Sequence, residues 1–162
     1  MEQVASHTGW LKDPALVTSF YNRMRVRMAD IHPNEAHTIM AEMEREHNVR
    51  VITQNVDDLH EQAGSHNVLH LHGELMKVCS SADVENPRYW RTLTPETGIV
   101  EPGTEAGDGS LLRPYIVFFE EPVPNIEPAI RLVQKADVMV VVGSSLVVYP
   151  AAGLIQYANP GT

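Results

Sequence analysis

Two sets of polar side chains in this sequence stand where apolar runs end. Gln54, Asn55 and Asp57 follow Val51-Ile52-Thr53, and His70 and His72 follow Val68-Leu69, just ahead of Gly73. A carboxamide carries both a donor and an acceptor, which is what recognising another carboxamide requires. Imidazole titrates near neutral pH and suits general-base work. A third set, Gly143-Ser144-Ser145, closes the apolar run 138–142 and offers hydroxyl and backbone N–H groups to a phosphate or a ribose. Polar groups crowded at the carboxyl end of buried strands are how an open α/β sheet presents a ligand site. Each set has a plainer explanation. Turn chemistry accounts for an Asn or Asp after a strand, a histidine can simply pair with a backbone carbonyl, and serine after glycine is common in turns. A metal set made of His66, His70 and His72 is disfavoured, because no cysteine or carboxylate completes it.

The elements that must position these groups alternate between strand and helix. Asp13-Pro14 reads as an N-cap followed by proline at the first helical position. Leu16, Val17, Phe20, Tyr21, Met24 and Met28 then recur at three- and four-residue intervals, one apolar face of a helix. Pro33 breaks the chain, and a second helix is expected from about residue 34 to 46, with Ala36, Ile39, Met40 and Met43 facing inward. A short helix is expected over 58–63, stopped by Gly64. Residues 115–119 read as a strand, 126–136 as a helix, 138–142 as the clearest buried strand, and Pro150 as the start of a last helix. Strands separated by helices predict an α/β fold, a parallel sheet with crossover helices. Between 79 and 110 the character changes: Asn86-Pro87, Thr94-Pro95, Glu101-Pro102-Gly103 and Gly107-Asp108-Gly109 are turn signals.

With 162 residues the chain can bury one real core and fits a single domain. It is 43% hydrophobic and 20% charged, which argues against disorder, and its net charge of -9 argues against a nucleic-acid footprint. A single cysteine, Cys79, excludes an intrachain disulfide and a four-cysteine zinc site. The N-terminal stretch is polar with no signal-like apolar core, and no run approaches the length of a membrane span, so a cytoplasmic protein is expected.

Thr53-Gln54-Asn55-Val56-Asp57, Leu59-His60, Ala63-Gly64 and Leu71-His72-Gly73 together closely resemble the sirtuins, NAD-dependent protein lysine deacylases. Leu112-Arg113-Pro114, the run 117–121, Gly143-Ser144-Ser145-Leu146 and Val148-Tyr149-Pro150 extend the resemblance, as do Asp13-Pro14, Phe20-Tyr21, Pro33-Asn34 and Ala36-His37. It implies a Rossmann-like parallel sheet with flanking helices and a small helical or loop module. Residues 1–48 would be a helical module, 49–78 and 111–162 the Rossmann-like core, and 79–110 an insertion in place of the zinc module that many sirtuins carry. It also implies NAD as cofactor and an acylated lysine of a protein as substrate. His72 would draw a proton from an NAD ribose hydroxyl once the acyl oxygen has displaced nicotinamide. Asn55 and Asp57 would lie in the nicotinamide pocket, Gln54 at its ribose, and Gly143, Ser144 and Ser145 at phosphate or ribose. Val117, Phe119 and Val123 would line the acyl-lysine channel. The backbones of 119–123, including Glu121, and of 146–149, with Leu146 and Tyr149, would pair with an extended peptide.

The sequence departs from the sirtuin pattern at three places. Phe119-Glu120-Glu121 replaces the usual Phe-Gly-Glu, so a side chain stands where a positive φ or close backbone approach is normal. Met24 stands three residues after Tyr21, where sirtuins that prefer acidic acyl groups carry arginine. The glycine-rich pyrophosphate loop GAGxSxxSGIPDFR does not precede Glu2, and the strands expected after the last helix are not there either. Both ends therefore read as cut, from a fragment or a degenerate member, and weak or no activity is expected of the chain by itself. Two rivals stand beside deacylation: NAD hydrolysis or ADP-ribosyl transfer on the same scaffold, and a non-catalytic binding module.

Overall fold

The computed structural model describes residues 2–94 and 96–162; the second residue of the expected Thr94-Pro95 turn lies outside them. Two short helices, α1 (Glu2–Ala5) and α2 (His7–Lys12), precede the long α3 (Pro14–Met28). The expected cap of α3 is present, with the Asp13 carboxylate accepting from Leu16 N at 2.9 Å and proline at the start of the helix. Helix α4 (Glu35–Met43) opens on Asn34, whose side chain accepts from the backbone of Ala36 and His37. Then come β1 (Val51–Thr53), α5 (Leu59–Gln62), β2 (Val68–His70), β3 (Gly73–Ser80), β4 (Arg91–Thr92), β5 (Leu112–Ile116) and α6 (Ile126–Val133). A 3-10 helix over Ala151–Tyr157 stands where an α-helix was expected after Pro150.

Two sheets result. β1 and β2 pair in parallel through the crossover helix α5, with Thr53 opposite His70. β3 pairs antiparallel with β4 on one side and β5 on the other. The first sheet packs Leu71, Ile52 and Leu69 against Ala129, Val133, Ala151 and Leu154. A second core joins Trp10, Val17 and Tyr21 of the N-terminal helices to Leu75, Ile116 and Phe118. Each such buried side chain contributes on the order of 1.5–3 kcal/mol.

Within the stretch 79–110, Leu93 and Val100 pack in an apolar cluster with Val78 of β3 and Leu112 of β5. β3 runs through the boundary expected at residue 78 and ties this stretch to the rest of the chain. The buried Ser80 hydroxyl donates to Asp108 and accepts from Ala82 N and Asp83 N at 3.0 Å. The Lys77 ammonium bonds Glu74 at 2.6 Å and lies 4.9 Å from the Trp90 ring centroid and 5.1 Å from that of Tyr115. Burial pushes the Cys79 thiol up to about 12, which keeps it an unreactive core residue at neutral pH.

Three expectations are corrected by this structure. The run 138–142 forms no ladder with any strand among the described residues, and Val138, Val140 and Val142 are 74%, 75% and 66% exposed. Its pattern, apolar on both faces, is that of a strand flanked by others. The parallel sheet here has two strands, and the run pairs with neither. Helix α4 buries none of its residues, and Ile39 and Met43 are exposed; the element it packs on is the short α5. The strand expected over 115–119 lies earlier, at Leu112–Ile116. Phe119 instead forms an isolated parallel bridge with Ser6.

The segment after β5 is fixed by a bidentate pair. Arg113, 1% exposed, donates to the two Glu121 carboxylate oxygens at 2.7 and 3.0 Å and to Ile116 O at 2.8 Å, with its guanidinium 4.0 Å from the Phe118 ring centroid. Burial raises the Glu121 carboxyl, but the Arg113 bonds and charge, with the Phe118 N–H and His7, outweigh it and hold it below the usual range. A depressed carboxyl stabilises the fold above its unfolded pKa, and the gain is lost as pH falls through the folded value, below the ordinary glutamate range. Glu121→Gln leaves a buried guanidinium uncompensated. It should cost roughly 3 kcal/mol in urea denaturation near neutral pH and remove part of the acid sensitivity below that window.

Candidate functional site

The chain turns from β1 into the polar segment 54–58 and from β2 into a bend at Leu71 and His72, so the two segments lie side by side. Leu71 N donates to Thr53 O at 2.9 Å and Leu75 N to Val56 O at 2.7 Å. His70 closes β2 and His72 lies beyond it in the bend, so the two do not share a strand face. Their rings nevertheless reach consecutive carbonyls. His72 Nδ1 is 3.1 Å from Gln54 O, and His70 Nδ1 is 3.1 Å from Asn55 O.

A carbonyl only accepts, so His72 Nδ1 carries a proton and Nε2 is the nitrogen left to act as a base. The bland reading of a histidine on a backbone carbonyl and the catalytic reading are thus one geometry. His72 O in turn accepts from Val117 N at 2.9 Å, which brings the expected channel residue Val117 beside the base.

Gln54 Nε2 donates to the Ser144 hydroxyl at 3.3 Å, and that oxygen also accepts from Leu146 N at 3.2 Å, so the Gly143-Ser144-Ser145 turn joins the cluster. Gly143 and Leu146 both have positive φ, 66° and 55°. Asn55 is exposed, with its backbone N–H bonded to Thr53 Oγ1. Asp57 Oδ1 accepts from Leu59 N at 3.3 Å and starts α5, so one of its oxygens serves the turn chemistry that the plainer reading anticipated. The carboxamides of Gln54 and Asn55 and the hydroxyls of Ser144 and Ser145 are a donor set that fits an amide and a ribose diol.

Other residues are not gathered in. Val123 packs into the core beside Leu71 and Ala129. Phe119 and Tyr149 are 62% and 70% exposed. His66 turns away to Glu44 at 3.0 Å, which leaves the three histidines without a common centre. Glu121 is committed to Arg113 and His7.

Several contributors were not readable from the sequence. Glu120 has φ 78°, and its carboxylate accepts from Thr8 N at 2.9 Å and Thr8 Oγ1 at 2.8 Å. Both backbone groups of Phe119 are taken as well, by Ala5 O and His7 N. Asn125 donates to His70 O at 2.7 Å, and Glu61 meets His70 Nε2 at 2.9 Å. Glu61 lies nine residues from His70, and the only signal was opposite polarity near a motif. A cavity of about 360 Å³ opens behind the turn, lined by His7, Gly73, Tyr115, Glu120, Glu121 and Asn125 among others.

Comparison with known proteins places this geometry in one class. The profile of the Sir2 family matches residues 1–150. An NAD-dependent protein deacylase of Bacteroides thetaiotaomicron is 55% identical over 161 residues, 99% of this chain and 69% of the relative. Among solved structures, a mutant Sir2 homologue in complex with ADP-ribose superposes with a TM-score of 0.85 at 40% identity, covering 96% of this chain and 62% of that one. Sir2 bound to acetylated peptide gives a TM-score of 0.78 at 32% identity, with 96% and 68% covered. The chain belongs to the Sir2 family and has its Rossmann-like α/β fold. It spans about two thirds of the length of these relatives.

Gly73 keeps His72 in place. Its φ is 88°, and a Cβ there would lie 2.1 Å from Tyr115 O. Gly73→Ala should therefore cost roughly 2 kcal/mol or more in chemical denaturation, and the His72 ring resonances should shift with it.

Proposed function

We propose that this chain carries the catalytic part of an NAD-dependent protein lysine deacylase that moves an acyl group from lysine to ADP-ribose and releases nicotinamide. One observation carries the reading: the histidine at the Leu-His-Gly bend has Nδ1 committed to the Gln54 carbonyl, which leaves Nε2 as the nitrogen free to act on a proton. The names of the relatives support it.

NAD supplies an electrophilic ribose carbon with nicotinamide as its leaving group. In this chain, His72 Nε2 takes the proton of a ribose hydroxyl. The Gln54 amide, steadied by Ser144, meets the ribose, and the Asn55 carboxamide and Asp57 face the nicotinamide. Gly143, Ser144 and Ser145 hold phosphate or ribose. Val117 and Phe119 supply apolar walls for a neutralised lysine stem. The backbones of 121–123 and 146–149, with Leu146 and Tyr149, take an extended acyl-peptide. Phe119 is already paired with 5–7, so the peptide uses the later positions. Deacetylation is the reaction to assay first. A cytoplasmic location is part of this proposal; among the described residues no helix is long and apolar enough to cross a membrane.

The test is nicotinamide release from NAD with an acetyl-lysine peptide, run on this chain and on a version extended to the relatives' length. His72→Ala should lower turnover by about 10²- to 10⁴-fold with NAD still bound. Turnover that survives the substitution, or no NAD binding by either version, ends the reading. Glu120→Gly removes the carboxylate tether to Thr8 and leaves the Phe119 backbone bonds in place. The Michaelis constant for the peptide should fall a few-fold (~3) while that for NAD stays put, since the change relaxes positive-φ strain at the groove alone.

A further inference from the structure

We propose that His70 is a positioning residue: a doubly protonated imidazole that ties the Asn55 carbonyl to the Glu61 carboxylate and so holds the Gln54–Asn55 wall of the nucleotide site. This rests on the proposed reading only for the ligand that the wall meets; the proton assignment stands on geometry.

The ring lies between two oxygens that can only accept. Nδ1 is 3.1 Å from Asn55 O and Nε2 is 2.9 Å from Glu61 Oε1. A neutral imidazole has one N–H, so both bonds form only when both nitrogens carry a proton. His70 is 8% exposed, which leaves little room for water to replace either partner, and the carboxylate balances the charge. The contrast with His72 is direct. Its Nδ1 makes the same kind of bond one residue earlier, and Nε2 meets no carboxylate in any ion pair of the described residues. Two imidazoles two residues apart thus grip successive carbonyls, one with its second nitrogen left to act as a base, the other with both nitrogens committed.

Glu61 of α5 pairs with the ring, and His60 of the same helix lies within electrostatic reach of it; His60 in turn faces Asp57, just ahead of that helix, and His37 of α4, whose ring centroid lies 4.7 Å away. Burial and then His37 hold His60 below the ordinary imidazole range, so the charge set against His70 is Glu61. From the other side Asn125 donates to the His70 carbonyl at 2.7 Å and fixes the backbone that carries the ring. Loss of either bond releases the Gln54–Asn55 peptide on that side, and nucleotide affinity falls with it.

Long-range ¹H–¹⁵N spectra of the imidazoles in the full chain read the protons directly. At about pH 7, His70 should show two N–H-type nitrogens and His72 one. Glu61→Gln is the discriminating variant. A glutamine amide can donate to a bare Nε2, so His70 becomes neutral with its Asn55 bond kept. The doubly protonated signature should disappear, and the Michaelis constant for NAD should stay within about twofold of the parent. His70→Ala should raise that constant by about tenfold and change kcat by less than about twofold. A singly protonated His70 at about pH 6.5 in the folded protein overturns the assignment, as does a Glu61→Gln variant whose spectrum matches the parent. If the signature is present but NAD is neither bound nor cleaved, the nucleotide role of the wall falls and the proton assignment stands.

Discussion

The contact between Arg113 and Glu121 is the constraint on which most of this structure rests. A guanidinium with 1% exposure needs a counter-charge and several acceptors, and it finds them in Glu121, Ile116 O and the Phe118 ring face. Glu121 uses its remaining capacity on Phe118 N and His7. The end of β5, the turn that follows and the start of α2 therefore behave as one unit. From that unit Val117 N reaches His72 O, and the position of the base is inherited from an ion pair that touches no reactant. The aromatic cluster of Trp10, Tyr21 and Phe118 closes over the pair and lowers the local dielectric.

The same unit reshapes the surface beside the base. Glu120 takes a left-handed conformation that costs a non-glycine residue energy, and its carboxylate is spent on Thr8. With Phe119 also paired to residues 5–7, the N-terminal helices lie along the backbone of this turn. The groove is narrowed from one side by the chain's own hydrogen bonds, and side chains alone do not determine its width.

Local chemistry was readable in the sequence and long-range pairing was not. Asp13-Pro14 starts α3 because a capping carboxylate and a proline act within four residues. The polar run after Thr53 and the Leu-His-Gly bend likewise fall where strands end. The run 138–142 misled because its apolar pattern records burial on two faces, while strand formation needs a neighbouring backbone that the pattern does not encode. Ile39 and Met43 misled for the same reason: helical spacing identifies a face and says nothing of what covers it. Thr8 with Glu120, and Glu61 with His70, join residues whose sequence separation carries no periodic signal.

Lys77 carries a consequence for the protein's own chemistry. Cationic side chains here are mostly arginine; the lysines are Lys12, Lys77 and Lys135. Lys77 is 18% exposed, gripped by Glu74 and faced by two aromatic rings, so an electrophile in solvent reaches its amine poorly. Only Lys12 and Lys135 present exposed side-chain amines among the described residues. A reactive thioester or acyl phosphate meeting this surface finds little to acylate. The protein is thus poorly suited to be a target of the modification that its family removes.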